Sequence, residues 1–186
     1  MRARWLASIL ALGLLGALPG RAQTGSWTPP GLAALAAHAS FQTDFTFDRG
    51  MLDAAGPMLP EQDRPIVAQL RSITIHDFRY GAPGMIDPST LEAVRAQYRA
   101  QGWSHLVTKQ MHPEADAAPE PADSTRTDLW VHMAHGKFDH LALLVASDRN
   151  VSLVVVDGTI SPLDLLHLRG HFGIPRFGGD DFVESK

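Results

Sequence analysis

The chain has 186 residues, a formal net charge of −4 and no cysteine. That length suits one domain with a real hydrophobic core. The absence of cysteine excludes a disulfide framework, a thiol nucleophile, a zinc–thiolate site and the lipid-bearing residue of a bacterial lipoprotein.

Residues 1–22 read as a secretory signal peptide. Arg2 and Arg4 open it, residues 5–18 are apolar, and Gly20-Arg21-Ala22 follows the small-x-small cleavage pattern. The apolar run is too short and wrongly flanked for a spanning helix. Cleavage after Ala22 removes three arginines and no acid, which moves the formal charge from −4 to −7. Such an acid excess argues against nucleic acid or anionic lipid as a partner, because phosphate contacts need Lys and Arg. No second apolar run is long enough to span a bilayer, so the mature protein is expected to be soluble and periplasmic or extracellular.

Residues 23–30 read as a disordered, Pro-containing leader. Residues 31–40 are Ala/Leu-rich and helical, and 41–47 alternate Phe41, Thr43, Phe45 and Phe47 with polar residues, a half-buried strand. Asp48 is placed to cap a helix over 49–59, and a further helical stretch runs to about Leu70. Residues 72–80 (SITIHDFRY) form a strand of unclear register. Asp87-Pro88 starts a helix carrying Leu91, Val94, Arg95 and Tyr98 at helical spacing, which ends at Gly102.

A strand is expected over 103–111. Residues 113–128, rich in Pro and acid, read as a mobile loop. Further strands follow over 129–134, 138–148 and 151–157. Their turns are His135-Gly136-Lys137 and the break near Arg149-Asn150. Ser161, Pro162 and Asp164 then start a helix that Gly173 stops, and 178–186 read as a flexible tail. Hairpin-length connections between consecutive strands imply a mostly antiparallel sheet of five to six strands. The expected fold is α+β in two layers, a single domain over 31–177 with helices packed on one face.

At this point a resemblance emerges. The early helix and the strand ending in Phe47 and Asp48, ITIHDFRY after a pair of helices, the Gly102-Trp103-Ser104 step into a strand, and the closing ISPLDLLHLRGHFGIP together carry it. On these segments the chain resembles the bacterial family called domain of unknown function 4252, small exported proteins or lipoproteins, over residues 31–177. The resemblance implies fold and location and no catalytic residues, since the family has no assigned activity. The chain departs from its lipoprotein members in having no cysteine.

Nine histidines make metal binding the first sharp chemistry to weigh. The candidate ligands are His132, His135 and His140, with His105 and His112 on a neighbouring strand. Alternation places His132 and His135 on opposite faces unless a bend intervenes. His167 and His171 are four apart at the last helix, beside its buried Leu168 and Phe172. For a hydrolase, Asp44, Asp77, Asp139 and Asp157 are available to pair with histidines. There is no G-x-S-x-G elbow, however, and His76 and Asp77 point opposite ways. Gly81–Gly84 and Gly178-Gly179 lack the strand–glycine–helix setting of a phosphate cradle. Trp103 and Trp130 are either a binding surface or core anchors. The expectation is therefore a non-enzymatic binding module of the cell envelope, with no cofactor and another envelope protein as partner. The alternative is a histidine-based metal-binding protein or metal-dependent hydrolase. Convergence of three or more of the five sheet histidines would favour the alternative.

Overall fold

The computed structural model describes residues 28–84, 86–111 and 125–175, with backbone alone for 107–111. The signal peptide, most of the leader, His112, residues 113–124 of the acidic stretch and the tail lie outside the described residues. The elements run α1 (Leu32–Ala36), β1 (Phe41–Phe47), α2 (Arg49–Ala55), a single 3-10 turn (Gly56–Met58), α3 (Arg64–Val67) and β2 (Leu70–Arg79). They continue with α4 (Pro88–Ala100), β3 (Ser104–Met111), β4 (Thr125–Ala134), β5 (Lys137–Ala146), β6 (Asn150–Gly158) and α5 (Pro162–His167). No helix among the described residues is long and apolar enough to cross a membrane.

Local chemistry sets the helix starts where the sequence places them. Asp48 accepts from the Met51 amide at 2.9 Å and Asp87 from the Ser89 amide at 2.8 Å. Ser161 and Asp164 form a reciprocal capping box at α5. Between β4 and β5 the two-residue turn His135-Gly136 has both φ positive, 53° and 75°, as tight hairpins that follow strand twist require.

All six strands pair antiparallel in the order β1-β2-β6-β5-β4-β3, which is the α+β sheet expected. The helices are placed differently from expectation: they divide between the two faces instead of gathering on one. Ile73, Ile75, Leu129, Val131, Leu141, Leu143, Val154 and Val156 pack with Leu52 of α2, Val67 of α3 and Leu165 of α5. The alternate residues Phe78, Trp130, Ala142, Leu144, Leu153 and Val155 pack with Leu35 of α1 and Leu91, Val94 and Tyr98 of α4. The physical reason lies in β5 and β6, whose consecutive apolar residues (LALLVA, LVVV) suit strands covered on both sides. A second difference is where β4 begins. Thr125 to Asp128, assigned from sequence to the acidic loop, belong to the strand, and Asp128 is wholly buried.

Candidate metal centre

Directly opposed residues in an antiparallel sheet share a face. The register of β4, β5, β6 and β2 therefore lays His132, His140, Asp157 and Ser72 in one transverse row. The row lies on the α4 face. One row further in, Trp130 and Ala142 are covered by α4, with the Tyr98 ring stacked on Trp130 at 5.4 Å. Gly102 ends that helix with a φ of 81°, and Trp103 follows as a wall beside the row, its ring centroid 5.4 Å from His132 and 6.2 Å from His140.

Two irregularities in pairing bring charge onto this row. His132 pairs with His140 while Met133 pairs with Phe138, so Asp139 is an extra residue in β5. Such a bulge re-aims the side chain that strict alternation would send to the opposite face. Asp139 Oδ1 lies 2.7 Å from His132 Nδ1 and its Oδ2 3.2 Å from His140 Nδ1. In β2 the register steps from Leu70 opposite Gly158 to Ser72 opposite Asp157, leaving Arg71 as the extra residue. Its guanidinium grips Asp157 with both Nε, 2.9 Å from Oδ2, and Nη2, while Asp157 Oδ1 lies 3.1 Å from His140 Nε2.

The electrostatics follow from these contacts. Burial pushes the Asp157 carboxyl up, but the hydrogen bonds from His140 and Arg71 outweigh it and pull it down to about 2. Burial likewise raises Asp139, and its bond to His132 with the charge of His140 holds it below the usual carboxylate range. His140 is raised by its hydrogen bond to Asp157, against the opposing effect of burial.

His132, Asp139 and His140 offer two imidazole nitrogens and a carboxylate oxygen, all within 4.8 Å of one another. Donors about 2.1 Å from one ion stand roughly 3–3.4 Å apart; Asp139 lies 2.7 and 3.2 Å from the two imidazole nitrogens. Two nitrogens in three donors suit zinc, copper or nickel and not the all-oxygen shells of calcium or magnesium. With His140 hydrogen-bonded behind to Asp157, the set has the carboxylate–histidine arrangement that orients metal-bound imidazoles. These side chains are a quarter to a third exposed, so an ion has access from solvent.

The other candidates are placed elsewhere. His135 sits exposed in the β4–β5 turn and is not in the group. His105, on β3, has Nε2 2.9 Å from Asp128 Oδ1, and its ring lies 4.0 Å from Trp130. His167 ends α5 exposed, and His171 follows it. Among the described sheet histidines two converge, fewer than the three set from sequence, and a carboxylate supplies the third donor. Asp44 does pair with a histidine, 2.5 Å from His76 Nδ1, whereas Asp77 faces solvent. Trp130 is a core anchor, and Trp103 is both buried and in ring contact with the row. Arg71 carried no sequence signal at all, since only the register of β2 against β6 makes it face Asp157. Compared with known proteins, the chain matches no family model, no curated protein and no solved structure.

Proposed function

We propose that this is an exported protein of the bacterial envelope that binds a divalent transition-metal ion through His132 Nδ1, Asp139 and His140 Nδ1. The observation that carries the reading is the convergence of those three donors within 4.8 Å of one another on a partly solvent-exposed row of the sheet. Export rests on the signal-like residues 1–22, and membership in the domain of unknown function 4252 family rests on the order and spacing of the segments described above. The test is a thermal melt of the mature protein with and without zinc, copper and nickel, with metal analysis of the purified sample. One ion per chain is expected, with a rise in Tm that the paired change His132→Ala and His140→Ala removes. A shift that survives the paired change, or no saturable binding, overturns the reading.

A second reading, strand addition by an extended segment of another envelope protein, is favoured by β1. It is a sheet edge whose Phe41 and Phe45 are exposed, and it carries no Lys, Pro or bulge to blunt it. Phe45→Lys should then abolish a complex captured by cross-linking in the envelope. An undiminished complex sinks this second reading.

A further inference from the structure

His140 faces a carboxylate at each ring nitrogen, Asp139 Oδ2 at 3.2 Å from Nδ1 and Asp157 Oδ1 at 3.1 Å from Nε2. A metal-bound neutral imidazole coordinates through one nitrogen and keeps its proton on the other. The two carboxylates therefore cannot have the same role. Asp139 is the one that also reaches His132, so it belongs inside the ligand group. Asp157 lies outside that group, on β6, and is already gripped by the Arg71 fork through both of its oxygens.

Arg71 has a second contact that bears on the same centre. Its Nη2 donates to the backbone carbonyl of Asp139 at 3.5 Å. One guanidinium thus touches both the carboxylate behind His140 and the bulge that turns Asp139 onto the row. It does so because it is itself the extra residue of β2. A fork held bidentate on a carboxylate restrains direction as well as distance, which a lysine would not do.

We propose that Asp157 is the positioning residue of the metal centre: it accepts the Nε2–H of His140 and so leaves Nδ1 as the ligating nitrogen, while Arg71 fixes Asp157 and the Asp139 bulge relative to each other. This rests on the metal-binding reading above. The ligands come from β4 and β5, and their support from β6 and β2, so the centre spans the four central strands of the sheet. Asp157 acts through His140 and does not touch the ion.

The experiment is a cobalt titration of the mature protein followed by visible absorption, with zinc affinity measured by competition. Asp157→Asn keeps an acceptor oxygen and loses the charge; Asp157→Ala loses both. The expected result is zinc affinity weakened about 10-fold in the Asn variant and up to about 100-fold in the Ala variant, the range for such outer partners. The cobalt spectrum should keep its shape in both, because the ligands are untouched. Arg71→Gln should weaken affinity in the same direction. Melts in EDTA separate any general loss of stability, and the Asn variant carries the test if the Ala variant does not fold. Unchanged affinity in the Asp157 variants overturns the proposal. A cobalt spectrum of changed shape at saturating cobalt also overturns it, because Asp157 would then be a ligand. If the wild-type protein binds neither cobalt nor zinc, it is the metal-binding reading that falls.

Discussion

Two carboxylate–histidine clusters lie on the same face of the sheet, built from the same residue types. Asp128 holds Arg95 Nε at 3.0 Å, Arg95 Nη2 at 2.6 Å and His105 Nε2 at 2.9 Å, and it is wholly buried. Asp139 holds His132 and His140, with Arg71 close by, and is a quarter exposed. The difference is cover. α4 lies over the first cluster and contributes Arg95 to it, then ends at Gly102 before reaching the second. Residue identity alone does not separate the covered cluster from the accessible one; the point where a helix stops does. Beneath the helix, the charges bond to each other and anchor it. Past its end, similar groups retain access to solvent and to ions.

The sharpest way to break this comparison is to remove each carboxylate in turn. Asp128→Ala takes the buried carboxylate from Arg95, which keeps its pairing with the exposed Glu92, and is expected to cost about 3 kcal/mol in chemical denaturation. Asp139→Ala, measured in EDTA, is expected to cost within about 1 kcal/mol, since its pairs are partly solvated. Equal losses would mean that the two clusters are the same kind of structure.

A smaller effect lies in the pH dependence of the metal-free protein. Asp157, with an ordinary value of 3.8, is held at about 2 in the fold, so its contribution is present above the ordinary value and is lost as the pH falls toward 2. His140 is raised from 6.5, so its contribution is complete below that value and is lost as the pH rises through the folded one. The stability difference between wild type and Asp157→Asn in EDTA should therefore be greatest from about pH 4 to 6.5, the interval between those two ordinary values. Thermal melts from pH 3 to 9 read it, and a difference that keeps growing above pH 8 would contradict the assignment. The smallest effect expected is at the turn. His135→Asn suits a positive φ as well as His does, and should change stability by less than about 0.5 kcal/mol and leave metal affinity unaltered.

What could be read in the sequence was what local chemistry decides. The caps at Asp48, Asp87 and Ser161, the hairpin at His135-Gly136 and the antiparallel series of strands all follow from residues within a few positions of one another. His132 and His140 stood out as strand histidines, and Asp139 and Asp157 as available partners. What escaped was register. Strict alternation puts Asp139 and His140 on opposite faces, and no glycine or proline marks the bulge that overrides it. Asp128 looked like part of an acidic loop because its cation, Arg95, lies 33 residues away on a helix. The unbroken apolar runs of β5 and β6 did contain the two-sided cover. Their density was legible, but their meaning depended on where α1 and α4 would settle.

Sequence separation within the candidate centre bears on how an ion would meet the chain. His132 and Asp139 are 7 residues apart across a two-residue turn, whereas Arg71 and Asp157 are 86 apart. Closing the short loop costs little entropy and is fast, while the long closure waits for β2 and β6 to assemble. All three proposed ligands thus come from one hairpin, whose closure does not wait for β2 and β6 to pair. An ion held by that hairpin in the unfolded ensemble stabilises the unfolded chain as well as the native one. The gain in Tm on adding metal is then smaller than the native affinity alone implies.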